Sequence, residues 1–138
     1  MTKKFDFSGY ATKNDVRCSD GRTIKSGAFK HQDGAKVPLV WNHRDDSPSN
    51  VLGHAILENR PEGVYTYCSF NQTQAGRDAR TAVLHGDVEA LSIYANKLVE
   101  RAKDVLHGNI REVSLVLAGA NPGALIDNLV IQHSDGDE

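Results

Sequence analysis

Apolar and polar residues alternate along much of this chain with a period of two, which marks strands with one buried face. KFDFSGYAT, residues 4 to 12, predicts an opening strand. The stretch that follows, KNDVRCSDGRTIKSGAFKHQDGAK, is rich in Gly, Asp, Ser and Lys and predicts a long loop with room for one helical turn. VPLVWNH, residues 37 to 43, is a compact apolar run whose Pro38 favours an edge or an early strand position. SNVLGHAILENR and GVYTYCSF predict two strands, and the PEG between them predicts a hairpin.

The period changes in TQAGRDARTAVLHGDV, where Ala75, Ala79, Ala82 and Val83 recur near the helical spacing. Thr73 is placed to cap that helix and Gly86 to stop it. EALSIYANKLVE and IREVSLVLAG predict two further strands, joined by a charged connection around RAKDVLHGN. PGALIDNLVIQ fits a final helix or a final strand equally well. The sum is an α+β chain, mainly β: a small, mostly antiparallel β-barrel of about six or seven strands with flanking helices. Strands and helices do not alternate, which excludes a doubly wound sheet. At 138 residues the expectation is one domain over residues 1 to 133, with 134 to 138 (SDGDE) as a flexible acidic tail.

Composition narrows the function classes. A net charge of −2 offers no basic field for nucleic acid. No apolar run approaches the roughly 20 residues a membrane span needs, and MTKKFDFSGYA lacks a signal-peptide hydrophobic region. Two cysteines, Cys18 and Cys68, lie far apart without a CxxC pair, so free structural thiols are expected. The six histidines (His31, His43, His54, His85, His107 and His133) show no HxxxH or HExxH spacing that would suggest a metal.

Strand parity singles out two residues. In IREVSLVLA, Val113, Leu115 and Leu117 share one face and Glu112 and Ser114 the other; in ALSIYAN, Leu91, Ile93 and Ala95 share one face and Ser92, Tyr94 and Asn96 the other. If the two strands are neighbours, Ser92 and Glu112 lie on a common polar surface. Such faces are also ordinary solvent faces, and spacing alone establishes no catalytic site. A serine nucleophile needs an adjacent base held by a third group. His43, ending an apolar run just before the polar RDDSPSN turn, is the best-placed base.

The ordered set SGYAT, IKSGAF, VPLVWNH, LGHAILE, GVYTYCSFNQTQAGRDA, LHGDVEALSIYA and REVSLVLAGANPGA resembles the prohead (procapsid maturation) proteases of tailed bacteriophages, from residue 8 to residue 125. Single pieces are weak signals; their order is specific. The resemblance implies a serine endopeptidase with a fold akin to the herpesvirus assembly proteases, a β-barrel surrounded by helices. It assigns His43, of the NH motif, as general base, Ser92 as nucleophile and Glu112, opening EVSLV, as the group that orients His43. It implies no cofactor. The implied substrates are the phage major capsid protein and scaffold protein, cleaved in the host bacterial cytoplasm inside the procapsid. Self-cleavage and a homo-oligomer stay open, and neither nucleic acid nor membrane is expected as a partner.

Several alternatives accompany that reading. His54 or His107 could replace Glu112 as third member, and Asp45 and Asp46 lie near His43 in sequence. The AGANPGA turn, residues 118 to 124, offers backbone N–H groups suited to an oxyanion, or is simply a tight turn. Tyr94 stands where many relatives have glycine, which would narrow the substrate groove or mark a catalytically silent scaffold or capsid-assembly module. A thiol hydrolase using Cys68 or Cys18 is the weakest reading. The parity argument puts the site in a shallow groove on the outer wall, where an extended peptide pairs along a strand edge.

Overall fold

The computed structural model describes residues 4 to 131. Eight strands and one α-helix follow in the order β1 (Phe7–Lys13), β2 (Thr23–Ile24), β3 (Lys36–Trp41), β4 (Val51–Arg60), β5 (Gly63–Phe70), α1 (Gln74–Leu84), β6 (Ala90–Arg101), β7 (Asp104–Val116) and β8 (Ile126–Leu129). The single α-helix among the described residues corrects the expectation of flanking helices in the plural. It is capped as its sequence predicts: Thr73 Oγ1 accepts from the Gly76 N–H at 3.1 Å, and Gly86 takes a left-handed φ of 78° just past the end.

The strands form one mixed sheet in the order β2-β7-β3-β4-β5-β1-β8, with β6 on β7. Most pairs are antiparallel; β3 and β2 run parallel to β7. The expected barrel is not closed by a continuous ladder. β6 and β8 approach at a single isolated bridge, Ala90 to Leu125, and beyond it the strands part. The physical reason lies in lengths. β8 has four residues against the twelve of β6, so most of the β6 edge has no strand beside it.

Pro38 takes the early strand position of the two expected, third in β3, rather than the edge. β3 is an interior strand between β4 and β7, but its ladder to β7 begins only at Leu39. Pro38 pairs with His54 of β4 alone, so its missing N–H costs no bond on the other side. The supposed charged connection around residues 101 to 109 is instead the tip and return arm of the long β6–β7 hairpin, with Arg101 opposite Asp104. Ala102 and Lys103 turn it with φ of 50° and 76°, the left-handed pair of a tight hairpin turn.

Phe7, Phe29, Leu39, Leu57, Leu91, Ile110 and Leu115 are fully buried and belong to one apolar cluster that gathers residues from β1 through β7. Removing a side chain of this kind from water stabilises by about 1.5–3 kcal/mol. That cluster is the backing on which β3, β6 and β7 lie side by side. The proposed acidic tail, 134 to 138, lies outside the described residues. No helix among the described residues is long and apolar enough to cross a membrane.

Candidate active site

β7 is the central strand of the site, flanked by β6 on one side and β3 on the other. Ser92 of β6 stands opposite Ser114 of β7, and Ser114 stands beside Val40 of β3. Two positions back along β7, Glu112 faces Tyr94 across the ladder. Alternation therefore puts Ser92, Ser114, Tyr94 and Glu112 on one face. The strands are neighbours, as the common-surface argument requires.

His43 reaches that face from a turn rather than a strand. β3 ends at Trp41, and the Arg44 N–H donates to the Trp41 carbonyl at 2.9 Å across Asn42 and His43. Both central residues have left-handed φ, 50° and 60°. Asn tolerates this region; a histidine there is uncommon, and such backbone persists only where neighbours hold it. Two bonds to β7 do so: the Asn42 N–H donates to the Leu115 carbonyl at 2.9 Å and the His43 N–H to Ser114 Oγ at 2.8 Å.

The turn folds the imidazole back between the other two groups. His43 Nε2 lies 3.0 Å from Ser92 Oγ, and Nδ1 lies 3.3 and 3.2 Å from the two Glu112 carboxylate oxygens. An ionised carboxylate can only accept, so Nδ1 carries the hydrogen; in the neutral ring Nε2 is then an acceptor facing the Ser92 hydroxyl. The pair raises the His43 pKa above its ordinary 6.5: the hydrogen bond to Glu112 favours the charged ring most, partial burial opposes it, and the negative charges of Glu112 and Asp45 add to the rise.

Ser114 is the residue that sequence reasoning passed over. It is completely buried, accepts the His43 backbone N–H, and donates to Glu112 Oε1 at 2.9 Å. Glu112 is itself only 2% exposed. The polar face of β7 is thus not the solvent face its pattern suggested, because the His43 turn folds onto it. Parity had already placed Ser114 beside Glu112, and that was the available signal.

The other candidates are not brought to the imidazole. Among the described residues, the side chains hydrogen-bonded to the His43 ring are Ser92, Glu112 and Ser114. The His107 ring stacks on His31 with centroids 4.5 Å apart, and His54 sits on β4 opposite Pro38. Asp45 acts on His43 only through its charge. Burial pushes the Cys68 thiol up to about 12, and burial followed by the Asp20 charge raises Cys18, so neither is poised as a thiolate. Tyr94 is 46% exposed, pairs with Glu112 across the ladder and lines the same cavity as Ser92.

The description of the caudovirus prohead serine protease family matches residues 1 to 136. The chain belongs to that family. Among solved structures, the chain is similar to the KSHV protease in complex with a hexapeptide phosphonate inhibitor, at 11% identity and a TM-score of 0.63. The match covers 91% of this chain and 65% of the KSHV chain, so this chain spans less than two thirds of that protein's length. At this identity the likeness speaks for the fold. No curated protein matches closely enough to count as a relative.

Proposed function

We propose that this chain is a serine endopeptidase with Ser92, His43 and Glu112 as nucleophile, general base and orienting acid, and that its substrates are the phage scaffold protein and the N-terminal region of the major capsid protein. What carries the reading is the unbroken line of contacts: 3.0 Å from Ser92 Oγ to His43 Nε2, then 3.2 Å from Nδ1 to Glu112. Those distances lie within or just beyond the reach expected of a nucleophile and base before substrate binds.

The chemistry follows from the tautomer. Ser92 Oγ attacks the scissile carbonyl carbon while its proton passes to Nε2. Collapse of the tetrahedral intermediate breaks the C–N bond, and Nε2 returns the proton to the departing amine. Water then attacks the Ser92 ester with Nε2 again taking the proton, and the acid product leaves as that proton returns to Oγ. Throughout, Nδ1–H stays on Glu112, whose negative charge stabilises each imidazolium stage.

Donors for the oxyanion would come from the 118–124 turn. The N–H groups of Gly123, Ala124 and Leu125 are already bonded within the turn, which leaves its first half for the role. Gly119 suits close approach there: a Cβ on it would lie 2.6 Å from the Leu91 carbonyl oxygen, next to the nucleophile. The reaction would take place inside the procapsid in the host cytoplasm; self-cleavage and a homo-oligomer are compatible with it.

Co-expression with the cognate scaffold and capsid proteins, read by intact mass, tests the assignment. Cleavage by the wild type and none by a folded Ser92→Ala is the expected pair. Cleavage persisting in Ser92→Ala contradicts the nucleophile. A folded wild type that binds capsid protein without cutting it supports the silent assembly module instead.

A further inference from the structure

A cavity of about 220 Å³ opens beside Ser92, between the edge of β6, the loop after β1 and the turn at Ala120 and Asn121. One side of its wall is apolar: Ile24, Phe29, Ile93, Leu98 and Val105, with Ala11 and Ala95 leaving space. Several of the polar groups around it are already engaged with one another. Asn121, 7% exposed, donates to Thr12 Oγ1 at 3.0 Å and to the Lys13 carbonyl at 2.9 Å, and its Oδ1 accepts from Gly123 N–H at 3.0 Å. Asp20 and Arg22 pair with each other at 3.3 Å on the half-exposed rim. A charged group entering this cavity would lose water against the apolar wall and compete for Asp20 and Arg22, which are already paired, Arg22 also with Glu100 at 3.5 Å, whereas an apolar group loses nothing.

The edge of β6 supplies the approach. The Leu91 N–H points away from β7 and donates to the Ala124 carbonyl at 2.8 Å. Strand alternation directs the N–H and C=O of Ile93 the same way, and past the Ala90–Leu125 bridge no described strand pairs with that edge. An extended peptide can therefore pair with Ile93 and lay its scissile carbonyl at Ser92.

We propose that this cavity receives a large apolar side chain, of the size of Leu, Met or Phe, on the substrate residue whose carbonyl Ser92 attacks. The inference rests on Ser92 being the nucleophile. Size decides between small and large: a protein cavity of roughly 150 Å³ holds benzene, so a methyl group would leave this one mostly empty. Adjacency decides the position, because Ser92 itself lines the cavity and the side chain nearest the attacked carbonyl is the one within reach.

Aminoalkyl phosphonate diphenyl esters carrying Ala, Leu, Phe, Lys or Asp side chains test it, with a fluorophosphonate alongside as a probe indifferent to side chain. Labelling of Ser92 is followed by mass. The Leu and Phe probes should label the wild type at least about 10-fold faster than the Ala probe, the scale on which apolar pockets discriminate, and the Lys and Asp probes should be slowest. Cys18→Phe, which fills the cavity from its loop side, should lose the preference for Leu and Phe while the Ala probe and fluorophosphonate still label Ser92. Normal fluorophosphonate labelling with the Ala, Lys or Asp probe fastest overturns the pocket and leaves Ser92 standing. A folded protein in which no probe, fluorophosphonate included, reaches Ser92 overturns the nucleophile and the pocket together.

Discussion

The His43 backbone N–H donates to the hydroxyl of Ser114 at 2.8 Å, and that same hydroxyl donates to Glu112 at 2.9 Å. One buried side chain on β7 thus fastens the turn that carries the base and the carboxylate that orients it. The left-handed backbone at His43 has a named restraint, and the two catalytic candidates it joins cannot shift independently.

Ser114→Ala should therefore affect rate more than its absence from the reacting atoms suggests. It strips the His43 N–H of its acceptor and the buried carboxylate of one donor, and a bond to a charged group is worth about 1.5–3 kcal/mol. The expected outcome is a fall in kcat of roughly 10- to 100-fold, together with a lower Tm and an acid limb of the rate profile that moves. A merely structural serine would lower Tm and leave the acid limb in place. Rate and Tm measured across pH separate the two.

Replacing Glu112 with glutamine keeps the shape and removes the charge. In the comparable Asp-to-Asn change of a serine protease the rate falls roughly 10⁴-fold; with the looser glutamate the expected loss is about 10²- to 10⁴-fold. The pH profile carries the sign. His43 must be neutral to act as base, and its raised pKa places the acid limb of kcat/KM above the ordinary 6.5. Without the carboxylate the largest cause of that rise is gone and burial is left opposing the charge, so the limb should move to lower pH. The same linkage acts on folding: the stability this raised pKa contributes is full below the unfolded value and fades as pH rises through the folded one. Activity and this part of stability thus change in opposite directions across one window. His54→Ala and His107→Ala should leave both limb and rate nearly unchanged. A dead His107→Ala beside an active Glu112→Gln would reassign the third member.

Gly119→Ala tests the backbone next to the nucleophile. The new Cβ would meet the Leu91 carbonyl oxygen at 2.6 Å, and backbone has to move to relieve it. Because Leu91 immediately precedes Ser92, the expected result is a loss of at least about 10-fold in kcat with a smaller change in Tm, since a displacement near 1 Å can cost about 100-fold in rate. Steady-state kinetics with thermal unfolding checks it.

Much of this arrangement is legible in the sequence where local signals and tertiary packing agree. Thr73 and Gly86 bracket the helix, PEG turns the β4–β5 hairpin, and a period of two is enough to put Ser92 and Glu112 on one face. What stays hidden depends on contacts that period cannot report. The β6–β7 hairpin escapes because Ala102 and Lys103 adopt left-handed φ without the Gly or Asn that usually announces such a turn. The burial of Ser114 and Glu112 depends on a turn some seventy residues away folding over β7. The open seam between β6 and β8 depends on the shortness of β8, in a segment whose pattern fits helix and strand alike. The cavity is made by residues of β1, β2, β6, β7 and three loops, none of which is unusual alone.

The central claim is that Ser92, activated by His43, forms the covalent bond to substrate. Treatment with a fluorophosphonate followed by peptide mass spectrometry tests it most directly. The account predicts one adduct, on Ser92, that disappears in Ser92→Ala and is slowed at least about 100-fold in a folded His43→Ala, the lower range for losing a positioned base. An adduct on Cys18 or on another serine, or undiminished labelling in His43→Ala, would contradict it.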